Sequence, residues 1–285
     1  MKLFCFGLGY SAAALASRLQ GREGVTIAGT RTRVDASDRS GIPIAAYQGD
    51  ARSHAVATLL DGATHVLVSI PPDIEGCPAL RHFGADLLAS PSLAWVGYLS
   101  TIGVYGDHQG AWVDEDTPAK PSSERSLRRW QAEQGWRSFG AESGKRVQVF
   151  RLPGIYGPGR SVLDTLRAGT ARRLVKPGQV FNRIHVDDIA QALDAAMATA
   201  SPHVVFNVTD DEPCPPEDVV AYGAELLGIP APPEVSVDAA RLSPMAASFY
   251  AESKRVRNAR LKQALGLALL YPTYREGLLA ILQGR

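Results

Sequence analysis

The stretch that decides the fold is Lys2-Leu3-Phe4-Cys5-Phe6-Gly7-Leu8-Gly9-Tyr10-Ser11-Ala12-Ala13-Ala14-Leu15. It begins as a short apolar run, passes through two glycines and continues as an Ala- and Leu-rich segment with helical spacing. This order predicts a strand, a tight turn and a helix. In the turn, Gly7 permits the bend, Gly9 lets a ligand approach the backbone, and the small Ala12 lets helix and strand pack closely.

The residues Gly7-Leu8-Gly9-Tyr10-Ser11-Ala12, which we call the glycine loop, match the pattern G-x-G-x-x-A. Unpaired N–H groups at the start of a helix, together with the positive end of its dipole, bind phosphate groups. We therefore expect these six residues to bind the pyrophosphate of a dinucleotide. The pattern alone is weak, and an ordinary tight turn is the alternative. Its position at the first strand–helix turn of the chain favours the nucleotide site.

The end of the second predicted strand indicates which dinucleotide fits. It reads Ala28-Gly29-Thr30-Arg31-Thr32-Arg33, and the first carboxylate after it is Asp35. NAD-binding domains usually carry an acidic residue here for the ribose hydroxyls, whereas guanidinium and hydroxyl groups suit a 2′-phosphate. We therefore expect NADP in preference to NAD, bound by Thr30, Arg31 and Arg33. Solvated loop arginines are the alternative.

Three more residues are expected beside the cofactor from their positions alone. Asp50 follows the third predicted strand, and Ser69 and Pro71 follow the fourth. In a parallel sheet these points meet at the edge where ligands bind.

The first half of the chain alternates strand and helix patterns, which is typical of a parallel sheet covered on both faces. We predict an α/β fold, a Rossmann-type doubly wound parallel sheet with a smaller, mostly helical C-terminal lobe. The cofactor domain is placed at residues 1–152 with a return segment at about 185–209, and the substrate lobe at 153–184 and 210–285. The return segment contains a strand-like piece at 204–208, and helices are predicted at 254–265 and 273–282.

Composition limits the classes of function. The chain has 285 residues, 45% of them hydrophobic, and a formal net charge of +1, so it can bury a core and has no strong field for nucleic acid or membranes. Cys5, Cys77 and Cys214 are too sparse for a disulfide framework, and no Cys or His spacing suits zinc. Glycines interrupt the apolar N-terminal run, which argues against a signal sequence. We expect a cytoplasmic protein without a metal site.

Four motifs follow in order in the second part of the chain, with the acidic turn Asp114-Glu115-Asp116-Thr117-Pro118 after the first. They are Leu99-Ser100-Thr101-Ile102-Gly103-Val104-Tyr105-Gly106, Arg151-Leu152-Pro153-Gly154-Ile155-Tyr156-Gly157-Pro158-Gly159, Arg183-Ile184-His185-Val186-Asp187-Asp188-Ile189-Ala190 and Phe206-Asn207-Val208. Together they resemble the extended short-chain dehydrogenases/reductases, the NAD-dependent epimerase/dehydratase family. The resemblance covers nearly the whole chain and implies that Ser100 and Pro153 border the cofactor.

In that family a Tyr-x-x-x-Lys pair on the helix after the fifth strand carries the chemistry, assisted by a Ser or Thr before V-Y-G. The resemblance implies Thr101 for this hydroxyl, and aligning Ala132-Glu133-Gln134 with the family's helix end places Arg125 at the Tyr position and Arg129 at the Lys position. A guanidinium stays protonated and has no acceptor, so Arg125 cannot relay a proton as a phenol does. Arg129 can still hold ribose hydroxyls. The pattern resembles atypical members that lack the catalytic pair.

Other tyrosines are candidates for the missing proton donor. Tyr105 and Tyr156 follow strands at the ligand edge, although packing within their motifs is the alternative that we favour. The one literal Tyr-x-x-x-Lys runs from Tyr250 to Lys254 in the C-terminal part, where Ser253 is predicted to cap a helix beginning at Lys254.

Arg125, Arg129 and Arg160 form a candidate anion pocket for a phosphate- or carboxylate-bearing substrate, with a solvated helix face as the alternative.

The sequence leaves two functions open. One is an NADP-dependent oxidoreductase or epimerase/dehydratase acting on a small polar substrate between the lobes, and the other is a catalytically silent NADP-binding sensor. An FAD or adenosylmethionine site is poorly supported. A homodimer through the helix around residues 126–138 is left open, because its aromatic residues also suit a core.

Overall fold

The structure, a computed structural model, describes residues 1–34 and 40–284, so Asp35 lies outside the described residues. The strands of the described part, in chain order, are β1 (Lys2–Phe6), β2 (Thr26–Arg31), β3 (Ile44–Ala46), β4 (His65–Val68), β5 (Trp95–Thr101), β6 (Trp112–Val113), β7 (Arg146–Leu152), β8 (Gly154–Tyr156), β9 (Arg173–Val175), β10 (Arg183–His185), β11 (Val205–Asn207), β12 (Glu234–Ser236) and β13 (Arg255–Val256).

The helices of the described part are α1 (Tyr10–Leu19), α2 (His54–Leu60), α3 (Pro78–Ala89), α4 (Glu124–Ser143), α5 (Val162–Arg167), α6 (Val186–Ala198), α7 (Pro216–Leu227), α8 (Pro244–Tyr250), α9 (Ala259–Leu265) and α10 (Tyr274–Leu282). A short 3₁₀ helix, Ile102–Tyr105, follows β5. Among the described residues no helix is both long enough and apolar enough to cross a membrane.

The central sheet has seven strands in the order β11-β7-β5-β4-β1-β2-β3. The pairs of β1 with β2 and β4, of β2 with β3, and of β4 with β5 are parallel. The predicted α/β, Rossmann-type fold is confirmed, and so is the return of the strand-like piece near residue 205, which forms the edge strand β11. In such sheets ligands bind at the carboxyl ends of the strands, where the strand order reverses, and here that point lies between β1 and β4.

The chain divides into two compact units. Unit 1 comprises residues 1–101, 124–151 and 189–206, and unit 2 comprises residues 102–123, 152–188 and 207–285. The core of unit 1 is built from alternate apolar residues of the strands and from the inner faces of the helices, including Phe4, Phe6, Phe83 and Trp136. Phe139 belongs to the same core, so these two α4 aromatics pack inward, while Leu127 on that helix is 44% exposed.

Unit 2 contains three small parallel pairs of strands, β8 with β10, β9 with β12, and β6 with β13. Its main core joins Tyr156, Leu163, Tyr274 and Leu278, with side chains of α7 packed beside them. A glycine at position 277 is required here, because a Cβ would lie 2.1 Å from the Tyr156 hydroxyl oxygen.

The predicted helix beginning at Lys254 is wrong, and with it the capping role of Ser253. Residues Arg255–Val256 form β13 and pair with β6, while the helix starts later, at Ala259, after Asn258. The pairing of β13 with β6, which is distant in the sequence, replaces the local helical pattern. The Ser253 N–H donates to Asp107 Oδ1 at 2.8 Å, so Ser253 is also held by a distant residue.

A buried polar cluster ties α4 to the sheet of unit 1. Glu133 on α4 is fully buried and accepts a hydrogen bond from Arg151 Nη2 on β7 at 2.7 Å. The Ser100 hydroxyl on β5 donates to the other carboxylate oxygen of Glu133 at 2.5 Å. One carboxylate therefore joins two adjacent strands to the helix, and removal of its charge would leave a buried guanidinium without an opposite charge.

We expect Glu133→Gln to lower the free energy of unfolding by about 3 kcal/mol, because breaking one half of a buried ion pair exposes the full desolvation cost of the other half. Urea unfolding followed by circular dichroism measures the change. Glu124→Gln, at the exposed Glu124–Arg128 pair on the same helix, is the matched control and should leave the midpoint unchanged. Equal effects of the two variants would contradict the assignment.

A second buried carboxylate holds the segment before α10. Asp188, 1% exposed, accepts hydrogen bonds from the backbone N–H groups of Leu270 at 2.6 Å and Tyr271 at 3.1 Å. Burial raises the pKa of Asp188 to about 6, and these two hydrogen bonds act in the opposite direction.

The raised pKa of Asp188 gives a signed dependence of stability on pH. Between about pH 4 and 6 the folded protein binds this proton more tightly than the unfolded chain, so its contribution is lost as pH rises through the folded pKa. Asp188→Asn lacks that titration. Relative to the wild type, the variant should gain up to roughly 3 kcal/mol between pH 4 and pH 7. Urea unfolding of both proteins at each pH measures this difference in the free energy of unfolding. A difference that stays constant between pH 4 and pH 7 would show that Asp188 does not titrate as described.

Candidate active site

The glycine loop lies at the carboxyl end of β1, and β2 holds it in place. The Gly7 N–H donates to the Thr30 hydroxyl at 2.8 Å, and the Leu8 N–H donates to the Thr30 carbonyl oxygen at 2.7 Å. Thr30 is 1% exposed, so its hydroxyl acts on the loop itself. The sequence interpretation, which gave Thr30 a direct contact with a phosphate, did not include this positioning role.

The two glycines of the loop differ in what they require. Gly7 has φ +88°, and a Cβ there would lie 2.8 Å from Ile70 Cγ2, so both the turn and the neighbouring chain demand glycine. Gly9 precedes the first residue of α1 with an extended backbone, and a Cβ at Gly9 would meet no described atom within 4 Å. The fold therefore does not explain Gly9. Open space at this position fits a ligand that approaches the backbone closely.

The two arginines after the loop take different positions. Arg31 is half-buried at the end of β2, and its Nε donates to the Leu8 carbonyl oxygen at 3.2 Å. Arg33 is exposed two residues later. Between Thr26 and Val34, all described, the chain contains no carboxylate. The described residues at the end of β2, where the sequence analysis places the cofactor ribose, are therefore cationic or neutral.

The residues after β4 adjoin the glycine loop. The N–H groups of Ser69 and Ile70 both donate to the Phe6 carbonyl oxygen, at 2.9 Å and 3.2 Å. Pro71 follows and is exposed. Asp50, after β3, is also exposed, and its Oδ1 accepts the N–H of Ala51 at 3.0 Å. Ser69 is thus fixed beside the loop at the point where the strand order reverses.

Arg129 on α4 reaches the carboxyl ends of β4 and β5. Its Nη1 donates to the Leu99 carbonyl oxygen at 2.7 Å and lies 3.4 Å from the Tyr98 hydroxyl. Burial raises the pKa of Tyr98, and the positive charge of Arg129 opposes this shift. The structure therefore places a fixed guanidinium at the ligand edge of the sheet, in unit 1.

The other residues expected at this edge differ in exposure. Thr101, the last residue of β5, is half-buried, whereas Ser100 before it is buried and bonded to Glu133. Arg125 lies one helical turn before Arg129, in the first turn of α4, and is exposed.

Within unit 2, the two candidate tyrosines are buried. Tyr105 is 0% exposed, and its hydroxyl donates to Asn207 Oδ1 at 2.8 Å. Tyr156 is 8% exposed, its hydroxyl donates to the Thr273 carbonyl oxygen at 3.3 Å, and burial raises its pKa. Pro153, between β7 and β8, is half-buried.

Arg160 of the candidate anion pocket is exposed and belongs to unit 2. It lines a cavity of about 400 Å³ together with Arg183 and apolar side chains of α5, α7 and α10. Arg125 and Arg129 belong to unit 1.

The literal Tyr-x-x-x-Lys does not lie on one helix. Tyr250 ends α8, and Lys254 precedes β13 in the chain. Lys254, 5% exposed, forms an ion pair with Glu252 at 2.5 Å. The one-turn spacing that places such a pair on a common helix face is therefore missing here.

The sequence analysis missed the cluster of Ser100, Glu133 and Arg151. A signal was present, because Arg151 follows the apolar pair Val149-Phe150 in the buried part of β7 and Glu133 lies on the inner side of α4. A charged residue within a buried strand usually has a buried partner of opposite charge.

Comparisons with known proteins agree with this geometry. The sequence profile of the NAD dependent epimerase/dehydratase family matches residues 89–209. A solved structure of a functionally unknown conserved protein from Silicibacter pomeroyi is 49% identical, covers 99% of this chain and 98% of its own, and has a TM-score of 0.91.

Two more distant relatives carry functional descriptions. A solved protein from Methylobacillus flagellatus, assigned as an NAD-dependent epimerase/dehydratase, is 26% identical, covers 99% of this chain and 98% of its own, and has a TM-score of 0.72. The 3-diazoavenalumate denitrifying reductase of a Streptomyces species is 27% identical over 213 residues, which is 70% of this chain and only 66% of that protein. The Rossmann sheet, the glycine loop and the ordered motifs agree with these matches, and residues 89–209 form a domain of the NAD-dependent epimerase/dehydratase family.

Proposed function

We propose that this protein is a cytoplasmic NADP-dependent enzyme, an oxidoreductase or epimerase/dehydratase that acts on a small polar substrate. The observation that carries the proposal is the open position of Gly9 at the start of α1. Its extended backbone has room for a ligand, while Gly7 and Thr30 hold the rest of the loop rigid. A preorganised loop loses little conformational entropy when it binds a ligand.

The residues present fit a dinucleotide phosphate. The N-cap of α1 is Gly9, which has no side chain to cap the helix, and the first N–H groups of α1 would hold the pyrophosphate. Arg31 and Arg33 would pair with the 2′-phosphate, because guanidinium groups suit phosphate oxygens. When bound, such a cofactor accepts or donates a hydride. The Arg31 side chain also donates to the Leu8 carbonyl oxygen and so supports the glycine loop. Arg33 is therefore the residue whose contribution is more specific to the 2′-phosphate.

For the chemistry, we assign Thr101 and Arg129 to the reacting end of the site. Thr101 ends β5, and Arg129 is fixed at the carbonyl oxygen of Leu99, two residues earlier. The guanidinium supplies a permanent positive charge for a substrate oxygen or a ribose hydroxyl, but it cannot exchange a proton at working pH. Tyr105 and Tyr156 are assigned to packing, since both hydroxyls are buried and engaged.

An anionic substrate is favoured by the arginines at both candidate surfaces, Arg125 with Arg129 in unit 1 and Arg160 with Arg183 in unit 2. The reductase activity that the name of the Streptomyces relative states supports the oxidoreductase branch. The second candidate is a sensor that binds NADP without turnover. The exposed guanidinium of Arg125 at the position where the family carries its tyrosine favours this candidate.

Gly9→Asp should abolish binding of both NADPH and NADH while leaving the fold intact. The added carboxylate repels the pyrophosphate, while the Cβ that carries it meets no described atom of the protein within 4 Å. Titration of NADPH fluorescence measures binding, and thermal unfolding checks the fold. Gly9→Ala is the matched control and should weaken binding less. Undiminished binding by Gly9→Asp would remove the glycine loop from the site.

Arg33→Glu should weaken NADPH binding by at least about tenfold and leave NADH binding within about twofold, because only NADPH carries the 2′-phosphate. Arg167→Glu, at an exposed residue of α5, makes the same charge change elsewhere and should alter neither affinity. Arg31→Glu should weaken both cofactors, since its side chain also holds Leu8. If the wild type binds NADH more tightly than NADPH, the NADP preference is wrong.

A further inference from the structure

Unit 1 has a cavity of about 530 Å³ at the amino-terminal end of β7. Its walls are the second half of α4, the first residues of β7 and the segment 201–204 before β11. The glycine loop follows the carboxyl end of β1, which is the other edge of a parallel sheet. This cavity, which we call the α4–β7 cavity, is therefore separate from the proposed cofactor site.

The lining of the α4–β7 cavity is strongly cationic. It includes three cations, Arg137, Lys145 and Arg146, together with the imidazole of His203, and none of the described residues that line it is acidic. A concave surface with charge of one sign focuses its field on the enclosed space. The cavity therefore attracts anions even though the whole chain carries a formal charge of only +1.

Backbone carbonyl groups fix two of these cations in the wall. Lys145 Nζ donates to the Ser90 carbonyl oxygen at 2.5 Å, at the end of α3. Arg146 donates to the carbonyl oxygens of Thr199 and Met197, at 2.5 Å and 2.7 Å, at the end of α6. A helix carboxyl end offers only partial negative charge, so it orients a cation without neutralising it. Burial lowers the pKa of Arg146, as expected for a cation that lacks a full counter-charge.

The opposite wall supplies hydrogen-bond donors. Gln134, Arg137 and Ser138 all line the cavity, and Arg137 and Ser138 follow Gln134 on α4 by three and four residues, so both neighbour it on the helix surface. Gln134 Nε2 is buried and has no hydrogen-bond partner within the part of the chain that the structure describes. A buried amide donor without a partner is costly, and rotation of the Gln134 side chain towards the cavity would let an anionic oxygen accept its hydrogen bond.

We propose that the α4–β7 cavity is a second ligand site, which binds a small multivalent anion carrying phosphate or carboxylate groups. Arg137 and Gln134 bind it from α4, Lys145 binds it from the residue before β7, and Arg146 binds it from the first residue of β7. The volume, about 530 Å³, lies within the range of small-molecule sites.

Purified protein is titrated with pyrophosphate and, separately, with citrate. Calorimetry at constant ionic strength measures the affinity for each anion. Both titrations are made in the Gly9→Asp background, so that the glycine loop contributes nothing and failure of the proposed function is observed separately. At least one probe should bind more tightly than about 1 mM, and Arg137→Gln should weaken it by at least about tenfold. Binding of pyrophosphate alone identifies a phosphate ligand, and binding of citrate alone identifies a carboxylate ligand.

Two variants on α4 make the result specific. Arg128→Gln removes the same charge outside the cavity lining and should change the affinity less than about twofold. Gln134→Met removes the buried donor at similar volume, so it should weaken binding without lowering thermal stability. The proposal is overturned if neither probe binds, or if Arg128→Gln weakens binding as much as Arg137→Gln.

Discussion

The hydrogen bond from the Gly7 N–H to the Thr30 hydroxyl is the interaction on which the candidate cofactor site depends. It acts with the bond from Leu8 to the Thr30 carbonyl oxygen, and together they tie the end of β1 to the end of β2. Because Gly7 must adopt a positive φ, the chain turns sharply and α1 starts directly over the sheet edge. The orientation of the α1 amino end is thus set by two strands and one glycine before any ligand binds.

A second constraint sets the register of α4. Glu133, Arg129 and Arg125 are spaced four residues apart, so each step along the helix rotates the side chain by about 40° relative to the last. Glu133 is fixed inward by Arg151 and Ser100, and Arg129 one turn earlier reaches the strand ends at Leu99. A further turn away, Arg125 has rotated out into solvent. The buried ion pair therefore determines where both arginines of the candidate site point.

Much of this fold could be predicted from local pattern, and the failures have a common physical origin. The strands of the main sheet are apolar runs, and the glycine loop follows the first of them, so periodicity and turn chemistry suffice. The pairs β6–β13, β8–β10 and β9–β12 involve strands of two or three residues whose partners are distant in sequence. Such pairs leave no periodic signal, and one of them replaced the start of the helix predicted from Lys254.

The same distinction applies to the site residues. Pattern identified which residues surround the loop, but not what each one does there. Thr30 and Ser100 are hydroxyl residues in cofactor motifs, yet both are buried and their hydroxyls bond to the protein. A motif shows which residue type stands at a position. The group to which its side chain bonds lies on another strand or helix and is not part of the motif. Glu133 and Arg151 were both visible in the sequence, 18 residues apart, without a local reason to join them.

The chemistry open to this site follows from what α4 does not supply. Reduction of an uncharged carbonyl adds a proton as well as a hydride, and a phenol can deliver that proton whereas a guanidinium cannot. Reduction of a cationic acceptor, such as an iminium or diazonium group, balances its charge with the hydride alone. In the proposed alignment Arg125 stands at the tyrosine position of the family, and an enzyme with that arrangement must either take its proton from water or substrate or act on acceptors that need none. In both cases the role that we propose for Arg129 is electrostatic, because a fixed positive charge at the strand ends would orient an anionic substrate and would exchange no proton.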